Sequence, residues 1–113
     1  MKNKVYTTPL FDNKFKRYRK KYLSLDKEME ELVNDLETNA KTGINLGGNI
    51  YKIRLASKSK GKGKSGGFRI ITYYIEQKVK ESEVYLITIY DKAEEANIPK
   101  DVLIKLIQRI FNK

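Results

Sequence analysis

The apolar positions of the chain follow two periodicities. Phe11, Phe15, Tyr18 and Tyr22 recur at steps of four, three and four, and Leu25, Met29, Leu32, Val33 and Leu36 repeat that spacing. Each set lines one face of a helix. Ser24 stands where an N-cap is needed, with Asp26 and Glu28 at the positive end of the following helix dipole. The two predicted helices form a hairpin. Thr42-Gly43 and Gly47-Gly48 then punctuate a predicted loop, after which the period changes to two. Tyr51, Ile53 and Leu55 alternate with Lys52, Arg54 and Ala56, as in a half-buried strand.

Residues 68–75 and 84–90 are rich in Ile, Val, Thr and Tyr, and the polar stretch 76–83 joins them. They predict a hairpin at the centre of a sheet. Ile98, Val102, Leu103, Leu106, Ile107 and Ile110 share one face of a last helix, whose start Asn97 and Pro99 mark. Residues 4–7 suit a short first strand. The expected order is strand, two helices, three strands, helix. Helices followed by strands without βαβ alternation predict an α+β fold, its helices packed on an antiparallel sheet.

The 113 residues suit one domain, residues 1–113. The sequence has no Cys and no His, which excludes disulfides, thiol nucleophiles, Ser-His-Asp triads and zinc sites built on those ligands. No apolar run approaches the roughly 20 residues that span a bilayer, and the residues after Lys4 are no signal-peptide core. A cytoplasmic protein without a membrane partner or cofactor is expected. Glu28, Glu31 and Asp35 fall at i, i+3, i+7 spacing. Without His they read as the solvated face of an amphipathic helix, and no metal site is expected.

Charge changes the picture more than composition does. Lys and Arg number 24 against 14 Asp and Glu. Residues 38–75 hold no acidic residue, against Lys41, Lys52, Arg54, Lys58, Lys60, Lys62, Lys64 and Arg69. A second basic run comprises Lys14, Lys16, Arg17, Arg19, Lys20 and Lys21. Gly63-Lys64-Ser65 imitates the end of a P-loop, but Lys58 occupies the position of the first glycine and a strand follows instead of a helix. Residues 57–67, rich in Gly, Ser and Lys, instead predict a mobile loop in which Lys58, Lys60, Lys62 and Lys64 grip phosphates. Lys52 and Arg54 project from the strand face opposite Tyr51 and Ile53, and Arg69 begins the next strand. Tyr90 and Lys92 arrive at the end of the third. Such a cluster of cations repels itself unless an anion joins it. Tyr90 and Tyr73, the latter on the face of Arg69, are candidate platforms for a base.

Residues 51–71, containing Gly61-Lys62-Gly63-Lys64 and Gly66-Gly67-Phe68-Arg69, together with Leu86-Ile87-Thr88-Ile89-Tyr90-Asp91-Lys92, resemble the RelE/ParE superfamily of bacterial toxins, in particular its HigB-like host-inhibition branch. The resemblance runs from about Phe11 to Ile110. It implies two N-terminal helices and a C-terminal helix on a curved, mostly antiparallel sheet. It also implies a metal-independent mRNA interferase that enters the ribosomal A site, silenced by a cognate helix-turn-helix antitoxin. On that resemblance a ribose 2′-OH attacks the adjacent phosphate, leaving a 2′,3′-cyclic phosphate and a 5′-OH. Arg69 and Arg54 stabilise the phosphorane charge, Lys52 or a loop lysine serves as base, and Lys92 or Tyr90 serves the leaving oxygen. Three features depart from the RelE branch: Lys92 stands where that branch has Arg, Ile98 falls near the position of its C-terminal Tyr, and the lysine loop is longer. The competing readings are a gyrase-inhibiting ParE-like toxin and a non-enzymatic RNA- or ribosome-binding module.

Overall fold

The computed structural model describes residues 2–61, 66–77, 82–95 and 97–111. Five strands and three helices follow the order β1 (Lys4–Thr7), α1 (Pro9–Lys21), α2 (Leu25–Thr38), β2 (Ile44–Gly47), β3 (Ile50–Leu55), β4 (Phe68–Ile75), β5 (Glu83–Asp91) and α3 (Lys100–Ile110). The sheet order is β1-β5-β4-β3-β2. Only β1 and β5 run parallel; the other neighbours are antiparallel. The expected α+β architecture, with three helices on a mostly antiparallel sheet, is therefore present.

Two apolar layers sandwich the sheet. On one face, Phe11 and Tyr18 of α1 and Leu25, Met29, Leu32 and Leu36 of α2 pack on Tyr51, Ile53, Phe68, Ile70, Val84, Leu86 and Ile89. On the other, Leu103 and Ile107 of α3 cover Ile50, Ile71, Ile87 and Tyr90. The helical periodicities of the sequence thus reappear as two core faces, one for the α1–α2 hairpin and one for α3. Val102 stands outside the second face, 47 % exposed.

One strand is additional to those expected. β2 occupies part of the predicted loop and pairs with β3 through a turn in which Gly47, Gly48 and Asn49 all have positive φ. Glycine and asparagine tolerate that conformation best, which is how the chain reverses in so few residues. The predicted loop at residues 57–67 also contains regular structure. Lys58–Lys60 form a 3-10 turn tied to the start of α2 by Ser59 N donating to Ser24 Oγ (2.9 Å) and Lys58 N donating to Glu28 Oε2 (2.8 Å). Ser24 keeps its place before α2 but makes no capping bond. Its hydroxyl instead donates to Glu28 Oε2 (3.1 Å), so that Ser24 joins the 3-10 turn to the helix.

The strand that positions the site is β5, and it is irregular. Ile71 pairs with Thr88, but Thr72 pairs with Leu86, leaving Ile87 as an extra residue. The bulge shifts the alternation of β5 by one: Leu86 and Ile89 face the α1–α2 layer, whereas Ile87 and Tyr90 face α3. Thr8 holds the bulge. Its buried hydroxyl lies 3.1 Å and 2.9 Å from the Leu86 and Ile87 carbonyl oxygens, to which it donates, and it accepts from Phe11 N at 3.2 Å as the N-cap of α1.

Thr8→Val keeps the shape of the side chain and removes both functions. Loss of the cap and of a buried carbonyl's partner costs about 2 kcal/mol. Urea denaturation of the variant should show a lowered midpoint with an unchanged m-value.

Candidate active site

Cross-strand register brings together the basic residues that the sequence singles out. Arg54 of β3 pairs with Arg69 of β4, and Arg69 pairs with Tyr90 of β5, forming one row across three strands. Lys52, two residues before Arg54, lies opposite Ile71 and shares that face by alternation. All four belong to the side of the sheet that carries α3. At its β3 end the row is open, because β2 pairs only with Ile50, Tyr51 and Lys52. A shallow groove of about 440 Å³ is found there, lined by Thr42, Gly43, Ile44, Lys52, Ile53 and Arg54.

Exposure falls along the row. Arg54 is exposed, Arg69 is 4 % exposed and Tyr90 is fully buried. The Arg69 guanidinium donates to the Phe68 carbonyl at 3.3 Å. Burial pushes the Tyr90 phenol above its ordinary pKa; Arg69 opposes the shift and Glu95 adds to it. The phenol therefore stays protonated through the neutral range. Its ring belongs to the α3-side cluster with Leu103 and Ile107, which corrects the expectation of a platform open to a base.

Tyr73 shares the face of Arg69, as expected, but lies four residues along β4, about 13 Å at strand rise. Its ring sits 5.3 Å from that of Phe111 and lines a cavity of about 310 Å³ with Gly48, Ile50, Ile104, Ile107 and Gln108. Tyr73 is thus a packing residue of the α3 layer, away from the row. Lys92 follows β5 directly and is exposed; its backbone N–H donates to the Gly67 carbonyl at 3.1 Å. That contact places Lys92 beside the start of β4. Gly67 permits the approach of the strands there, because a Cβ at Gly67 would run into the Leu55 carbonyl oxygen.

The lysine loop divides. Lys58 is exposed, while Lys62 and Lys64 lie outside the described residues. Lys60 departs from its expected role as a phosphate ligand. Its side chain is 7 % exposed and forms an ion pair with Asp91, itself 2 % exposed. The ammonium also lies 5.3 Å and 5.2 Å from the ring centroids of Tyr22 and Phe68, on the α1–α2 side of the sheet. Asp91 is the organising residue beside the site that sequence reasoning missed. It accepts from Ala93 N at 2.9 Å and from the Tyr22 hydroxyl at 3.4 Å, while its own N–H donates to the Tyr18 hydroxyl at 3.2 Å. One carboxylate thus fixes the root of the basic loop, the end of α1 and the turn that carries Lys92. Glu95 of that turn is tied to α1 in its turn, by Lys14 at 3.0 Å.

Burial alone raises the Asp91 carboxyl, but the Lys60 ammonium, the Ala93 N–H and the Tyr22 hydroxyl outweigh it and hold the pKa below the ordinary 3.8. The stabilisation is accordingly complete above that value and lost as pH falls through the lower folded value. Asp91→Asn leaves a buried ammonium without its counter-charge and should cost about 3–5 kcal/mol. The stability gap between wild type and variant, followed by denaturant titration from neutral to strongly acidic pH, should close at the acid end. Lys60→Met combined with Asp91→Asn should recover much of the loss.

Comparison with known proteins agrees with this geometry. The family described as RelE toxin of the RelE/RelB toxin-antitoxin system matches residues 4–110. Among solved structures, the free state of the E. coli toxin RelE, bearing two arginine-to-alanine substitutions, aligns with a TM-score of 0.58 at 18 % identity. The alignment covers 97 % of this chain and 99 % of that one. A likeness at that identity speaks for the fold, whereas the family match spans nearly the whole sequence. The chain belongs to the RelE toxin family of toxin-antitoxin systems.

Proposed function

We propose that this toxin is a ribosome-dependent mRNA endoribonuclease that cuts by metal-independent 2′-OH attack and so inhibits translation. The observation that carries the reading is the Arg54–Arg69–Tyr90 row, an array of cationic and phenolic side chains in direct cross-strand register at the open end of the sheet. Family membership supplies the toxin class. The basic row supplies the chemistry.

In the proposed reaction the ribose 2′-oxygen forms a bond to phosphorus while the bond from phosphorus to the 5′-oxygen breaks. The 2′-OH proton passes to a base, and a proton is delivered to the departing 5′-oxygen. Arg54, being exposed, meets the phosphate first. Arg69, held by the sheet, supplies a preorganised guanidinium for the charge developing on the non-bridging oxygens. Lys52, on the same face as both, is the base. Lys92 is the group at the leaving oxygen, because it is exposed and the Tyr90 hydroxyl is buried. Tyr90 backs Arg69 from the neighbouring strand and keeps it in register. Lys58, and in sequence Lys62 and Lys64, extend the cationic path for the RNA.

The partner proteins follow from the same reading. A cognate antitoxin silences the toxin, and the Gly-Lys-Gly-Lys and Gly-Gly-x-Arg sequences support a HigB-like enzyme with a helix-turn-helix antitoxin. Among the described residues no helix is long and apolar enough to cross a membrane, and the proposed site of action is the cytoplasmic ribosome.

The test is cleavage of a defined mRNA with and without translating ribosomes, with 5′ ends mapped. Wild type should cut only with ribosomes. Arg69→Ala should lose on the order of 10²-fold or more in rate, the scale of removing one transition-state donor. Lys92→Met should lose 10²-fold or more, the usual share of an acid or base, whereas Tyr90→Phe should stay within a few-fold of wild type. Intact mRNA with folded wild-type protein on ribosomes would refute the reading, and gyrase inhibition would then be assayed.

A further inference from the structure

Lys92 is flanked by carboxylates: Asp91 precedes it, and Glu94 and Glu95 follow. The backbone brings them closer still. Glu94 N and Glu95 N both donate to the Asp91 carbonyl oxygen at 3.0 Å, which winds residues 91–95 into one helical turn. Residues three apart on such a turn are neighbours, and opposite charges at that spacing attract. Glu95 is therefore the local partner for the Lys92 ammonium, with Glu94 as a second. An ion pair of that kind would set a carboxylate where the RNA phosphate has to come.

Among the described residues Lys92 has no ion pair, and it is exposed. All three carboxylates are engaged elsewhere. Asp91 is held by Lys60 and Tyr22. Glu94 Oε1 accepts from the Tyr18 hydroxyl at 3.3 Å, and Glu95 Oε2 pairs with the Lys14 ammonium at 3.0 Å. Lys14 and Tyr18 stand one turn apart on α1, so one edge of that helix draws off both glutamates. Tyr18 is buried, and burial lifts its phenol above the ordinary pKa, which keeps the proton that it donates to Glu94. The Lys14–Glu95 pair is partly exposed, and a pair in that setting adds little stability. What it changes is the cation that Glu95 faces.

We propose that Lys14 and Tyr18 are positioning residues of the cleavage reaction. From α1, on the face of the sheet opposite the arginine row, they hold Glu95 and Glu94 away from Lys92 and so leave its ammonium for the RNA phosphate and the departing 5′-oxygen. The inference rests on the ribonuclease reading for the role of Lys92.

The test compares Lys14→Met/Tyr18→Phe with the same variant carrying Glu94→Gln and Glu95→Gln. On mRNA with translating ribosomes, kcat of the first should fall on the order of tenfold with KM nearly unchanged, between the cost of a competing surface ion pair and that of a misplaced group. The two glutamines should return most of the rate. A role in stability alone predicts no such return, because glutamine restores neither lost contact. In a Lys92→Met background the α1 substitutions should cost nothing further. If the double variant fails to fold, Lys14→Met decides the matter, with a loss of about two- to fivefold that Glu95→Gln removes. A second readout needs no RNA: the rate at which an acetylating ester modifies Lys92, followed by mass spectrometry. An ion-paired ammonium reacts more slowly, so Lys92 should label more slowly in the α1 variant and regain its rate with the glutamines. Failure of the glutamines to restore either rate would overturn the proposal, as would an equal loss of kcat in the Lys92→Met background. If wild type leaves mRNA intact on ribosomes, the ribonuclease reading falls alone, and the labelling rates still decide which way Glu94 and Glu95 turn.

Discussion

The extra residue in β5 is the constraint on which both faces of this molecule depend. Counted from Val84 by strict alternation, Tyr90 would face α1 and Asp91 would face α3. The bulge at Ile87 reverses the two. Tyr90 then completes the row with Arg69 and Arg54, and Asp91 turns toward Lys60, Tyr18 and Tyr22. A bulge leaves backbone carbonyls without their ladder partners, a cost that a buried strand cannot pass to solvent. Thr8 meets it with a hydroxyl that also starts α1. The first helix is therefore anchored at the point where the sheet changes phase. Substitutions near Ile87 alter packing, whereas loss of one residue there would exchange the surroundings of Tyr90 and Asp91 together.

Asp91 carries the second half of the design. A buried carboxylate and a buried ammonium are poor stabilisers compared with an apolar pair of the same volume. What they supply here is location. The basic loop leaves β3, returns to β4 and is pinned at its root by a residue 31 positions further along the chain. The pair lies across the sheet from the arginines, so it draws the loop's origin toward α1 and leaves Lys58 outside. Lys14 and Glu95 repeat the arrangement at the surface, and the turn that bears Lys92 is held from two sides.

Much of this was legible in the sequence. The bounds of β1 and β4 match those read from composition and alternation, and the 3.6-residue pattern identified the buried faces of α1 and α2. The common face of Lys52 and Arg54 followed from parity alone, whereas the placement of Arg69 beside them came from the β3–β4 register. β2 was hidden because four residues containing Asn and Gly carry more turn signal than strand signal. The burial of Tyr90 was hidden because parity does not say that α3 covers that face, and one bulge reverses parity without a mark in composition. Lys60 was misread because a segment without acidic residues looks solvated in one dimension. Its partner came from another strand.

The α1–α2 hairpin is also sorted by sign. α1 exposes Lys16, Arg17, Lys20 and Lys21, while α2 exposes Glu30, Glu31 and Asp35. A molecule so divided has a dipole in the plane of its helices in addition to its net charge of +10. In the field of a polyanion it experiences a torque as well as an attraction, with the acidic helix swung outward before contact. Encounter is thereby reduced from a search over all orientations to a search over a few. Glu31 and Asp35 of α2 also line a groove with Arg54, so the same carboxylates that orient the approach confine a polyanion to the side of Arg54 away from α2.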